Sequence, residues 1–137
     1  MKFYTLVLFN SHEIDDSAIE EMVRKRMEPF KLIQDEDLPY NENWKWDYYC
    51  LHEKKIMYEY GFGVSEFPAQ LSESDYIVYP VEKMTSEQMT FAILTPSGDW
   101  FNGTYPLQEL DPYWQQKALD IVANSHATYG VYVYCHS

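Results

Sequence analysis

Cysteine is scarce in this chain of 137 residues: Cys50 and Cys135 are the two present. Two thiols are too few for the disulfide framework that holds small secreted domains together, and they are expected to stay reduced in a cytoplasmic setting. Five Gly and seven Pro exclude collagen-like and low-complexity chains. Long apolar runs are missing too. The N-terminal run Phe3–Phe9 stops at Asn10, too short for a signal-peptide core with its cleavage site and far too short to span a bilayer.

Positive charge is the other shortage. Ten Lys and Arg stand against 22 Asp and Glu, a net charge of −12. From Met84 to Ser137 the only basic residue is Lys117. Such a surface repels phosphate backbones and anionic lipid, which argues against direct binding to nucleic acid or to a membrane. Arg24-Lys25-Arg26 and Lys54-Lys55 are too small to reverse that field. The acids, Asp35-Glu36-Asp37 among them, can imitate a DNA phosphate track only if folding gathers them on one face.

Aromatics, by contrast, are plentiful: 13 Tyr, 7 Phe and 4 Trp. Disordered acidic tails lack them. A chain of this mass buries about two-thirds of its unfolded surface, enough for one core without staples. Residues 1–137 are therefore expected to form a single acidic domain.

Phe3–Phe9 reads as a first strand, covered on both sides or central, because its apolar character is nearly continuous. A helix follows. Ser17 and Glu20 fit a capping box, Asp15 and Asp16 suit the positive helix end, and Ile19, Met22, Val23, Met27 and Phe30 recur at helical spacing. Pro29 ends it. Residues 31–43, with Asp35-Glu36-Asp37 and Pro39, read as a loop. Residues 44–51 alternate, with Trp44, Trp46, Tyr48 and Cys50 on one side, and predict a strand paired with a second at Ile56–Tyr60. Residues 76–81 predict an edge strand, demoted by Pro80. Met89–Thr95 and the strand beginning at Trp100 form a hairpin around Pro96-Ser97-Gly98-Asp99. A second helix starts with Asp111 as N-cap and Pro112 at its first position, with Trp114, Ala118, Ile121, Val122 and Ser125 facing inward. Gly130–Cys135 makes a last strand. This order suits an α+β fold: an antiparallel sheet with two helices on one face, ferredoxin-like (split β-α-β) with a hairpin insertion. A larger, more meandering α+β sheet is the alternative.

Cys50, His52, Cys135 and His136 are of zinc-ligand type, but tight ligand pairs such as C-x₂-C are absent. Cys135 and His136 diverge on a strand, and the two cysteine strands of a ferredoxin-like sheet lie at opposite edges. No metal and no cofactor are expected. Cysteine catalysis lacks a stabilised thiolate. His126-Ala127-Thr128 is half of a paired H-x-T signature with no second copy. Gly61-Phe62-Gly63 lacks the third glycine and the helix of a phosphate loop.

Taken in order, four short motifs resemble a widespread family of small proteins of unassigned reaction encoded by bacteriophages and prophages. Met27-Glu28-Pro29-Phe30 matches a helix ending in P-F, and Lys45-Trp46-Asp47-Tyr48-Tyr49 matches a K-W/Y-D-W/Y-Y block. Thr95-Pro96-Ser97-Gly98-Asp99-Trp100 matches a T-P-D-G-x-W hairpin, and Tyr134-Cys135-His136-Ser137 a C-terminal D-C-H-I. Two departures stand out: Leu51-His52-Glu53-Lys54-Lys55 replaces I-G-G-R-W, and Tyr134 replaces the aspartate. The resemblance implies a phage accessory protein acting in the host cytoplasm. The expected function is to bind and inhibit a host protein, such as a CRISPR effector or another defence protein. Asp35, Glu36, Asp37, Trp44, Tyr48, Tyr49, Tyr58 and Tyr60 are the candidate partner-binding residues, since aromatics dominate interface hot spots. The alternatives are a small enzyme or binder of a nucleotide or defence signal, with Cys135, His136 and His52 at its site, and a structural phage protein.

Overall fold

Strand β1 (Lys2–Phe9) runs through the middle of a six-stranded sheet in the computed structural model, which describes residues 2–10, 16–33, 35–51, 76–104 and 112–137. Its neighbours are β6 (Tyr129–His136), antiparallel along its whole length, and β4 (Ala92–Leu94), parallel. Strand β5 (Trp100–Asn102) pairs with β4, while β2 (Tyr48–Leu51) and β3 (Val78–Pro80) share the outer edge of β6.

A central strand explains the unbroken apolar run. Phe3, Val7 and Phe9 enter one core, with Val131 and Val133 of β6 and Ala92 and Leu94 of β4. Leu6 and Leu8 enter a second core on the other face, with Tyr132 and Ile93. Successive strand side chains point to opposite faces, so a strand covered twice is apolar nearly throughout.

The helices supply the two covers. Helix α1 (Asp16–Met27) packs Ile19, Val23 and Met27 into the first core. Helix α2 (Pro112–Asn124) packs Trp114, Ala118 and Val122 into the second. Full burial of each larger apolar side chain is worth about 1.5–3 kcal/mol. The architecture is α+β, with a mixed sheet sandwiched between one helix and the other.

Two features of the expected fold are corrected. The sheet is not antiparallel throughout, because β1 and β4 run parallel. The helices do not share a face, because the i and i+1 positions of β1 belong to different cores. A ferredoxin-like sheet, antiparallel on both sides of its first strand with both helices together, has neither feature. Local corrections are smaller. Ser17 lies inside α1 and not at its cap. Arg26 reaches back to donate from Nη1 to the Leu8 carbonyl at 3.0 Å, its guanidinium 5.2 Å above the Phe9 ring. The strand expected over 44–51 begins only at Tyr48, so buried Trp46 does not share a face with exposed Tyr48. The strand expected at Ile56–Tyr60 and the cap at Asp111 lie outside the described residues.

Turn chemistry is as anticipated at the hairpin. Gly98 has φ +93, and Thr95 binds across the turn through its N–H to the Asp99 carbonyl at 2.9 Å. The expected edge strand is β3, which ends at Pro80. Helix α2 stops where His126 takes a left-handed φ of 58, with Ser125 Oγ donating to the Val122 carbonyl at 2.6 Å. Among the described residues no helix is long and apolar enough to cross a membrane.

Candidate functional site

The chain between α1 and β2 forms a loop closed at its base. After Met27 a 3₁₀ turn, Glu28–Phe30, carries Pro29, and the chain leaves it extended at Lys31. There Lys31 bridges to Trp46. The Leu32 N–H donates to the Trp46 carbonyl at 2.6 Å, and the Phe30 carbonyl accepts from the Lys45 and Trp46 N–H groups at 2.8 and 3.3 Å. Trp46, 4% exposed, pins this clasp to the core by donating from its indole N–H to the Met27 carbonyl at 2.8 Å. That carbonyl is one of the acceptors a helix end leaves without an intrahelical partner.

Four segments distant in sequence, around Phe30, Trp46, Trp100 and His136, meet at this clasp. The Phe30 ring lies 5.1 Å from Trp100 of the hairpin motif. Trp46 stands edge-on to Tyr49 at 4.9 Å. The Asp47 N–H donates to the His136 carbonyl at 2.8 Å, and the Asp47 carboxylate meets His136 Nδ1 at 2.8 Å. That hydrogen bond, ahead of the charge on the imidazole, holds the Asp47 carboxyl below its ordinary range. The other face of His136 stacks on Tyr48, 4.8 Å between centroids and 10° from parallel.

Two Asx-type turns shape the loop beyond the clasp: Asp35 Oδ1 accepts from the Asp37 N–H at 3.0 Å, and Asn41 Oδ1 from the Asn43 N–H at 2.9 Å. Along this loop the apolar side chains face solvent. Ile33 is 53% exposed, Leu38 45%, Tyr40 80%, and Tyr48 next to the clasp 51%. Asp35, Glu36, Asp37 and Glu42 interleave with them, all exposed. A short loop with adjacent ends, held by its own turns, is an Ω-loop in form. A cleft of about 370 Å³ separates its Glu42-Asn43-Lys45 limb from the hairpin at Gly98–Phe101.

The structure sorts the candidate partner-binding residues. Asp35, Glu36 and Asp37 are exposed on the loop, and Tyr48 is exposed beside it. Trp44 is half-buried, edge-on to Tyr40 at 6.2 Å. Tyr49 is part-buried, packed against the α1-side core, and burial raises its phenol. Tyr58 and Tyr60 lie outside the described residues. Sequence reasoning missed Ile33, Leu38, Tyr40 and Asp47, and placed His136 only in the alternative enzyme or ligand site. The signal for the first three was there, since apolar residues without a period in an acidic Pro- and Asn-bearing loop have no core face to join.

The cysteine and histidine candidates do not assemble as one set. Cys135 is fully buried, 3.4 Å from Thr5 Oγ1, and burial pushes its thiol up to about 12. A thiol so placed is no nucleophile at neutral pH. His136 turns to the opposite face, toward Asp47 and Tyr48. The expectation that the two cysteine strands lie at opposite edges is corrected, since β2 and β6 are neighbours with Tyr49 opposite Cys135 and Cys50 opposite Tyr134. Cys50 therefore shares a sheet face with His136 and not with Cys135. Burial raises its thiol as well. His52 lies outside the described residues, and among the described residues no group of three or more His, Cys, Asp or Glu could hold a metal ion.

Comparison of the chain with protein-family models, with curated proteins and with solved structures finds no match.

Proposed function

We propose that this protein is a phage accessory factor that binds a host protein and inhibits it by occupying its surface, a defence nuclease of the CRISPR type being the target class. The observation that carries the reading is the clasped loop: its base is fixed by Phe30, Trp46, Asp47 and His136, while Ile33, Leu38 and Tyr40 are held out to solvent among acids. Rigid scaffolds that display variable loops are the usual way a small domain presents a binding surface. Ordering the loop in advance lowers the entropy lost on association. The phage-family resemblance falls on the clasp, and the loop it closes carries the exposed apolar groups. The matching partner has an apolar pocket for Tyr40 and Leu38 rimmed by Lys or Arg, a patch of the kind nucleases use to hold nucleic acid. The protein would compete for that patch through its negative field.

Affinity capture from host cells tests this with three baits. The wild-type protein and a remote Asp120→Asn variant are expected to recover the same stoichiometric partner, and Leu38→Ala/Tyr40→Ala to lose it. Truncating one hot-spot tyrosine costs about 2 kcal/mol or more, roughly 30-fold in affinity. Recovery of no partner by any bait, or of the same partner by all three, overturns the reading.

A further inference from the structure

On the α2 side of the sheet a cleft of about 620 Å³ opens at the carboxyl ends of β1 and β4. Asn10 and Thr95, the residues that directly follow these two parallel strands, form its floor. The volume is within the range of small-molecule sites.

Its walls are of two kinds. Phe101, 40% exposed on the hairpin, and Ile121 of α2 give apolar surface. Asp99 and Asp120 give two carboxylates, each steadied by a neutral donor: Ser97 Oγ donates to Asp99 Oδ2 at 2.9 Å, and Gln116 Nε2 to Asp120 Oδ1 at 3.1 Å. Neither carboxylate forms an ion pair among the described residues. The last turn of α2 lines the same cleft through Asn124 and Ser125, adding the negative end of a helix dipole. Among the described residues Lys117 is the one cation in the lining.

We infer that this cleft is a binding site for a small organic monocation, a primary ammonium or guanidinium compound with an aromatic or aliphatic body. The charge goes to Asp99 and Asp120, and the body lies on Phe101, whose ring face also attracts a cation. Lys117 disfavours a second positive centre, so polyamines fit less well. The acidic field of the whole chain draws cations toward the mouth. This inference stands apart from the loop surface and does not depend on it.

Three probes with one ring and different charge test it: 2-phenylethylammonium, 2-phenylethanol and 3-phenylpropanoate, titrated at neutral pH and low salt and followed by amide chemical shifts. The ammonium is expected to saturate below about 10 mM, in the range open to so small a probe. Its shifts should centre on Asn10, Thr95, Phe101 and Asp120. The alcohol is expected to bind about tenfold more weakly and the carboxylate weaker still, the change a single charge makes at partly exposed sites. Asp99→Asn and Asp120→Asn should each weaken the ammonium about fivefold, Lys117→Met should tighten it, and Tyr40→Ala should leave it unchanged. These positions are on the surface, and an unchanged amide spectrum away from the site checks that each variant folds. No saturation, equal binding of the three probes, or indifference to both aspartate variants overturns the inference.

Discussion

Trp46→Ala is the sharpest test of the clasp. The indole is almost fully buried, donates to the Met27 carbonyl at 2.8 Å and stands edge-on to Tyr49 at 4.9 Å. Removing a buried Trp or Phe side chain costs about 3–5 kcal/mol through lost transfer energy and the cavity left behind. Within that, the carbonyl that loses its donor accounts for about 1–3 kcal/mol and the aromatic pair for about 0.5–1.5 kcal/mol. Trp46→Phe separates the parts, because it keeps most of the ring and deletes the N–H, at an expected cost of about 2 kcal/mol. Urea unfolding followed by far-UV circular dichroism measures both. With a slope of roughly 2 kcal/mol/M, the midpoint should fall by roughly 2 M for Ala and 1 M for Phe. Proteolysis should also show earlier cutting between residues 32 and 45 in the Ala variant. A loss under about 1 kcal/mol for Ala, or a Phe variant no better than Ala, would refute a clasp built on this indole.

Gly130 sits opposite Leu8 in the β1·β6 ladder, and a Cβ there would meet Leu6 Cδ1 at 2.5 Å and Met84 Cε at 3.1 Å. Leu6 is fully buried and has little room to withdraw, so Gly130→Ala should destabilise by about 1–3 kcal/mol in the same urea assay; an unchanged midpoint contradicts the packing. In the native protein iodoacetamide should label Cys50, which is exposed, and spare Cys135, whose buried thiol titrates only near about 12; both should react after unfolding. Mass spectra showing both labelled at one rate in the native state argue against that burial. Asp47 is an acid held below its ordinary value in the fold, so its stabilisation is complete above the unfolded carboxylate pKa and fades as pH falls through that range to the lowered value. Acid unfolding of Asp47→Asn should therefore depend less steeply on pH below about 4 than that of the wild type, and coincident profiles would show the pair to be idle.

Helix α1, the hairpin around Gly98 and the two-sided cover of β1 were all readable from the sequence, because each leaves its mark within a few consecutive residues. Ile19, Val23 and Met27 repeat at the helical period, Gly98 supplies a positive φ, and a strand apolar nearly throughout must be covered twice. The same run in β1 also held the clue to helices on both faces, and the ferredoxin-like expectation did not use it. Trp46 and Tyr49 show the opposite case. Period-2 alternation over residues 44–51 misleads there, because the clasp interrupts the strand and Trp46 takes its place in the core from a loop.

By itself, the chain's order of residues determined what kind of object this is: an acidic α+β fold with buried branched and aromatic strands, a proline-stopped first helix, and thiols too few to staple it. The parallel pairing of β1 with β4, the helices on opposite faces, and the meeting of Phe30, Trp46, Trp100 and His136 were decided only in three dimensions. The physical reason is range. Capping, turns and amphipathic periods act between neighbours, whereas strand order and the choice of sheet face depend on which distant apolar surfaces bury one another best, and no local pattern records that competition.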